Sequence, residues 1–260
     1  MGWHLARLLR YRGLLWNLSL SELKARHRQT ALGMAWAVAQ PVAMMAVFTV
    51  VFSVFVRLPV EQVPYALFAY TGLWAWLFVA NSLSQGLASV VNNMNLVTKA
   101  SFPREVIPLS KVLTVGVDFL IGAVTLVGLL LYYRVPVRGS WLALPGILIV
   151  HAAFTVGLVL LGSALYVLQR DVGILLPLVL QIWMFLSPVV YPVSLIPEGL
   201  RSLYMLNPMA MILEAYRSVL LLGEPPRLEL VAPAAVIAVV LLILGYVYFK
   251  SVEPKFADII

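Results

Sequence analysis

Five long stretches of this chain carry no charged residue. They run between Arg28 and Arg57, Glu61 and Lys99, Arg138 and Arg170, Asp171 and Glu198, and Glu229 and Lys250. Each is long enough for the roughly 20 apolar residues of a membrane-crossing helix. A sixth candidate follows Pro108. It carries Lys111 near its start and Asp118 inside, then runs uncharged to Tyr133. The pattern predicts spans at 34–56, 64–88, 107–133, 141–168, 173–193 and 229–249. A shorter apolar stretch, Ser202–Leu213, contains Asn207-Pro208 and reads as a re-entrant or interfacial element.

Composition points the same way. Of 260 residues, 62% are hydrophobic and 11% charged, where a soluble domain carries about 25% charge. So few charges cannot coat a water-facing surface of this size. That excludes a soluble globular enzyme and a disordered chain, and the lack of cysteine excludes a disulfide scaffold. The net charge of +7 is informative by its placement. With the N-terminus inside, the inner segments hold 12 of the 18 Lys/Arg and the outer segments 6. This asymmetry, with an even number of spans, predicts both termini in the cytoplasm. No role in nucleic-acid binding is expected.

The first 33 residues are basic but lack a signal-peptide core, because Asn17, Ser19, Ser21, Glu22 and Lys24 interrupt it. Trp3, Leu5, Leu8, Leu9, Leu15 and Leu18 interleave with Arg7, Arg10 and Arg12. That pattern suits an amphipathic helix lying in the membrane interface, as an anchor or also as a docking surface. The Ser19-x-x-Glu22 spacing of a capping box predicts that a second helix starts at Ser19.

Several chemistries are missing. None of the five Lys follows a Gly, so the phosphate-cradling P-loop of an ATPase is absent. The three His are far apart, and neither a zinc motif nor a Gly-x-Ser-x-Gly elbow occurs. His151, alone in the fourth span, reads as a neutral His bonded to a helix carbonyl. Asp118 reads as the partner of Lys111, seven residues earlier on the same helix face, with a proton relay as the alternative. Pro177, Pro188 and Pro192 break up the fifth span, which suggests a pathway-lining helix that turns at its outer end. No Gly-x-x-x-Gly dimer motif is present.

Aromatic residues recur at helical spacing. Phe48, Phe52 and Phe55 share a face of the first span, and Tyr70, Trp74 and Phe78 a face of the second; Trp183, Phe185 and Tyr191 decorate the fifth. Such sets serve as packing, as interfacial belts, or as a conduit that stacks on sugar rings.

From residue 23 onward the chain resembles the permease subunit of type-2 ABC exporters, closest to the branch that exports O-antigens, capsules and teichoic acids. The resemblance rests on Leu23–Gly33 with Trp36 and Gln40-Pro41, and on Leu96–Lys99 with Phe102-Pro103-Arg104-Glu105 and Ile107-Pro108. It continues through Val117-Asp118-Phe119, Arg170-Asp171-Val172, Ser187–Pro192, Pro197-Glu198, and Asn207-Pro208-Met209 with Glu214 and Arg217. Order and spacing hold over about 200 residues.

The resemblance implies an all-α polytopic membrane protein: six transmembrane helices, an N-terminal amphipathic interface helix, and short re-entrant outer helices between spans five and six. Residues 1–33 would form the cytoplasmic interface region, 34–250 the transmembrane domain with its re-entrant segment near 194–228, and 251–260 a cytoplasmic tail. It further implies a homodimer in the bacterial cytoplasmic membrane, paired with two copies of a separate ABC ATPase subunit. ATP and Mg would be bound there, and this chain would need no cofactor or metal. Arg7, Arg10, Lys24, Arg26 and Arg28, the segment with Asn95, Lys99, Pro103, Arg104 and Glu105, and the pair Arg170-Asp171 would form the ATPase docking surface. The cargo would be a lipid-linked polysaccharide. A type-2 permease for a drug, lipid or other small molecule is the alternative within the family. An intramembrane enzyme on lipid-linked sugars and a structural scaffold are the alternatives outside it.

Overall fold

The computed structural model describes residues 11–28, 33–58, 63–99 and 102–256, excluding the side chains of 26–28 and 97–99. Among the described residues every regular element is helical. The helices are α1 Arg12–Arg28, α2 Trp36–Thr49, α3 Tyr65–Leu87, α4 Ser89–Asn92, α5 Met94–Lys99, α6 Val106–Tyr132, α7 Leu144–Leu168, α8 Asp171–Phe185, α9 Glu198–Tyr204, α10 Pro208–Arg217 and α11 Leu228–Val252. A short 3-10 turn leads into α2 and a wider turn extends it, giving one continuous span Gly33–Phe55. A similar turn continues α10 to Leu222.

Among the described residues five helices are long and apolar enough to cross a membrane: Gly33–Phe55, Tyr65–Leu87, Val106–Tyr132, Gly139–Leu168 and Leu228–Lys255. They are not equivalent. The apolar window of α3 is 78% buried within the protein, against 6% for Gly33–Phe55 and 17% for Leu228–Lys255. Helix α3 is therefore the hub, and the outer helices turn apolar side chains outward. Val124 on α6, Ile174 on α8 and Val236 on α11 are exposed. In water such faces would aggregate; against lipid tails they cost nothing. The chain is an all-α, multi-pass membrane protein.

Without Gly-x-x-x-Gly, close helix approach uses glycines on different helices. Helices α7 and α11 run parallel, with Leu160 and Val167 packed near Phe249 and Val252 at one end. At mid-length a Cβ on Gly157 would sit 2.6 Å from the Leu242 backbone nitrogen, and one on Gly245 would overlap the Gly157 carbonyl. The two backbones touch because neither residue has a side chain.

Two expectations change in the N-terminal region. No helix starts at Ser19. Helix α1 is continuous, and Ser19 Oγ donates to the Leu15 and Ser110 carbonyls at 2.9 and 3.2 Å. Tertiary contact with α6 uses the hydroxyl that a capping box would need. Lys111 also pairs with Glu22 of α1, not with Asp118.

The fifth span is shorter than the 173–193 stretch predicts. Helix α8 ends at Phe185 after 15 residues, about 22 Å at 1.5 Å per residue, short of the roughly 30 Å hydrocarbon core. Pro177 is carried inside the helix. Pro188 and Pro192 cannot continue it, and side chains from elsewhere take the last carbonyls. Asn207 Nδ2 donates to the Leu186 carbonyl at 3.0 Å and Tyr191 Oη to the Phe185 carbonyl at 2.5 Å.

The short stretch around Asn207-Pro208 becomes a bent pair, with α9 and the Pro208–Leu222 arm meeting at 103°. It is re-entrant by its contacts. The Val190 carbonyl before it accepts from Tyr65 Oη, where α3 begins. The Leu222 carbonyl at its far end accepts from Arg138, just before α7 begins. The chain thus returns to the end it left, opposite the cluster where α3, α7 and α11 finish. Gly223 closes the second arm at φ +68°, where Arg138 occupies the space of a Cβ.

Candidate functional site

Three groups of side chains stand out, one at the end carrying the C-terminus, one in the core, and one lining a cleft.

At the end carrying the C-terminus, the loop into α6 is tied to the end of α11. Glu105 is buried, and its Oε2 accepts from Lys250 Nζ at 2.5 Å. Lys250 also reaches Glu253 Oε2 at 2.8 Å. Arg104 closes the loop, donating from Nη1 to the Glu253 carbonyl at 2.5 Å and from its backbone N–H to Glu253 Oε1 at 3.2 Å. Pro103 is buried beside them. Four charged groups therefore form one network, and burying Glu105 is tolerable because Lys250 faces it. Lys24 on α1 and Asn95 on α5 are exposed. Arg170 and Asp171 are exposed at the α7–α8 turn, with the Arg170 guanidinium 5.2 Å from the Tyr166 ring centroid. Arg7, Arg10 and the side chains of Arg26, Arg28 and Lys99 lie outside the described residues.

The core is aromatic. Trp74 stacks on Phe119 at 4.1 Å and donates from Nε1 to the Phe119 carbonyl at 2.8 Å. Tyr70 Oη donates to the Gly122 carbonyl at 3.0 Å. Phe78 meets Phe119 and the edge of His151. The nitrogen partner of His151 is Tyr216 Oη at 3.3 Å, a side chain from the re-entrant arm and not a helix carbonyl. Trp183 meets Trp76 edge-on and donates to Asn207 Oδ1 at 3.1 Å. Phe48 and Phe52 stack at 5.9 Å, and Phe52 continues toward Tyr65. Tyr191 bonds Tyr204 Oη at 2.9 Å. Phe55 and Phe185 are exposed, at 72% and 50%. The nine aromatic residues thus fall into two kinds: most hold helices of one protein copy together, while Phe55 and Phe185 face outward.

The cleft lies between α2, α3 and α6 and holds about 340 Å³. Trp74, Phe78, Asn81 and Gln85 line it from α3, Trp36 and Gln40 from α2, and Asp118 and Gly122 from α6. Among the described residues no group of His, Cys, Asp or Glu could hold a metal ion.

Sequence reasoning missed Asn207 as a structural centre. Its side chain caps α10 through Met209 N–H at 3.0 Å, accepts from Trp183, and donates to Ser187 Oγ and the Leu186 carbonyl. The available signal was Asn followed by Pro, the N-cap and first-turn pairing of a helix start. The amides Asn81 and Gln85 were also passed over, and Gln40 entered only through the family resemblance, although polar amides inside charge-free stretches are visible in the sequence.

The chain is similar to the O-antigen export system permease protein RfbA of Myxococcus xanthus, 32% identical over 96% of both chains. It is also similar to the RfbA permease of Klebsiella pneumoniae, 29% identical over 92% of both. Residues 13–221, from the start of α1 to the end of the re-entrant arm, match the ABC-2 type transporter family, and the chain belongs to that family.

Proposed function

We propose that this protein is the membrane subunit of an exporter that moves a lipid-linked polysaccharide across the bacterial cytoplasmic membrane. The observation that carries this reading is the likeness over at least 92% of the chain to relatives named O-antigen export permeases. Two copies would pair with two copies of an ABC ATPase subunit, which binds ATP and Mg and performs all hydrolysis. Both termini face the cytoplasm, as the 12-to-6 distribution of Lys/Arg favours.

The ATPase would dock on the end that carries the charged network. Exposed Lys24, Asn95, Arg170 and Asp171 offer contacts there. Arg104 and Glu105 act differently from the exposed charges, because their side chains face Glu253 and Lys250. They would bind the docking segment to α11, so that a push on the segment moves the helix. Helix α1, held to α6 by Ser19 and by Glu22–Lys111, would move with it. Closure of the ATPase pair would then shift packed helices as rigid bodies. Of the nine aromatic candidates, outward-facing Phe55 and Phe185 are the two free to meet a second copy or the passing glycan.

The test is reconstitution in vesicles with a candidate ATPase subunit, measuring ATP turnover and glycan translocation together. The reading requires both to depend on the pair. Glycan export that continues without ATP, or with no ATPase bound, overturns it.

A further inference from the structure

Helices α7 and α11 are locked together at two levels. At mid-length their backbones touch, where a Cβ on Gly157 would sit 2.6 Å from the Leu242 nitrogen. At the end carrying the C-terminus, Leu160, Ala164 and Val167 of α7 share one apolar cluster with Phe249 and Val252 of α11. Phe256, fully buried, closes that cluster edge-on to Phe249 at 5.2 Å. Touching backbones and close-packed side chains leave no room for sliding, so the pair moves as one body. Both proposed docking elements attach to it. Arg104 and Glu105 reach Glu253 and Lys250 at the end of α11. The Arg170-Asp171 turn follows α7 directly, with Arg170 over the Tyr166 ring of that helix.

The opposite end of the body holds the re-entrant arm. Ahead of α7, Arg138 Nη1 donates to the Leu222 carbonyl at 2.8 Å and Ser140 Oγ to the Val219 carbonyl at 3.2 Å. Within α7, His151 Nδ1 lies 3.3 Å from Tyr216 Oη. Ile212 and Ala215 of α10 sit with Ile147 of α7 and Ala234 of α11 around one small apolar gap. The same arm is tied to the hub helix α3, through Arg217 on Phe68 and Tyr216 against Trp74. It therefore bridges two bodies.

Those two bodies also meet nearer the other end. A Cβ on Gly86 of α3 would overlap Val159 of α7, and one on Gly162 of α7 would sit 3.0 Å from Leu87. From Val159 the helix runs about 13 Å on to Leu168 and about 22 Å back to Leu144, at about 1.5 Å per residue. A tilt about this contact is magnified about 1.7-fold at the arm, the ratio of those two lengths.

We propose that α7 and α11 act as one lever, tilting about the Gly86–Val159 contact and carrying movement from the docking end to the re-entrant arm. Arg138, Ser140 and His151 are the positioning residues that hand the movement over. That closure of an ATPase pair supplies the push rests on the export reading.

The chain has no cysteine, so paired thiols can carry spin labels without background. The full chain, in phosphatidylethanolamine vesicles with a candidate ATPase subunit, is labelled at Ile149→Cys and Val247→Cys, exposed on α7 and α11. A second protein is labelled at Leu203→Cys on α9 and Leu120→Cys on α6, which Phe119 ties to Trp74 of α3. Pulsed electron paramagnetic resonance should give the first pair the same distance with and without ATP and vanadate. The second distance should shift with nucleotide. Arg138 is exposed and Ser140 half-buried, so Arg138→Ala/Ser140→Ala should keep the melting temperature and ATP turnover. It should lose the shift and lower export about tenfold.

A first-pair distance that changes with nucleotide overturns the lever. So does a second distance that never shifts in ATP-hydrolysing protein, or a shift that survives in the variant. If no ATPase binds, the export reading fails and the lever is decided in the permease alone. There Glu253→Ala, which opens the docking end, should broaden the Leu203–Leu120 distance and leave the Ile149–Val247 distance unchanged. An unbroadened distance overturns the lever. A nucleotide-driven shift with no glycan moved removes the polysaccharide reading alone.

Discussion

Arg217 holds its guanidinium carbon 3.7 Å from the centroid of the Phe68 ring. From that position Nη2 donates to the Val189 carbonyl at 2.8 Å, and Nη1 meets Glu214 at 3.2 Å. One buried cation thereby joins the hub helix α3, the turn after α8 and the re-entrant arm. The approach depends on Gly72, whose missing Cβ would sit 2.7 Å from Arg217 Nη2 and overlap the Val189 carbonyl.

Gly72→Ala should therefore displace Arg217 and destabilise the protein by about 1–3 kcal/mol, the usual cost of overpacking. Arg217→Ala should cost on the order of 3 kcal/mol, because it strips the Val189 carbonyl and Glu214 of their donor. Arg217→Lys should recover only part, since a point charge cannot bridge both acceptors and cover Phe68. Thermal unfolding in detergent measures all three; a Gly72→Ala protein as stable as the parent would sink the clamp.

The network at the C-terminal end makes an asymmetric prediction. Lys250→Ala leaves Glu105 buried without its cation and should reduce stability more than Glu105→Gln does. The double variant Glu105→Gln/Lys250→Ala should be less damaged than Lys250→Ala alone. If the network also transmits ATPase movement, ATP turnover and export should uncouple in Lys250→Ala. A double-mutant cycle with both readouts decides this.

Asn207→Ala removes two acceptor and two donor contacts at once and should cost on the order of 2 kcal/mol. Asn207→Asp keeps an acceptor for Met209 and Trp183 but places a carboxylate against the Leu186 carbonyl. It should rescue partly. Tryptophan fluorescence is the direct readout, because Trp183 loses its acceptor only in the Ala variant.

The two kinds of aromatic residue should separate by phenotype. Trp74→Ala deletes a stacked, hydrogen-bonded ring and should lower stability by about 3–5 kcal/mol. Phe185→Ala removes a half-exposed ring and should leave the melting temperature nearly unchanged. Reduced export by a stable Phe185→Ala protein would support an outward conduit role. Full export by that variant would assign the residue to the lipid face.

Much of the architecture was legible in the chain itself. Runs without charge mark the spans, because a charged side chain in a bilayer carries a cost that few positions offset. Proline at 188 and 192 marked the end of α8 in kind but not in place. The helix stops at Phe185, where Asn207, brought in from the next arm, and Tyr191, six residues on, take its last carbonyls. Ser19 misled for a related reason. Its capping pattern is local, and contact with Ser110 on α6 outweighs it. Charged residues that read as a docking surface divided in the same way: Lys24 and Arg170 remained outside, while Arg104 and Glu105 turned inward to α11.

The sequence by itself determined that this is a membrane protein, where most of its spans lie, and that it lacks a P-loop of its own. These follow from hydropathy and local spacing, which no fold can alter. Tertiary structure alone decided which polar groups meet. Lys111 found Glu22 instead of Asp118, His151 found Tyr216, and Gln40 came to face Asn81 and Gln85 across a cleft. Such pairs are set by the rotation and depth of each helix against its neighbours. Packing fixes those quantities, and a pattern along one helix does not contain them.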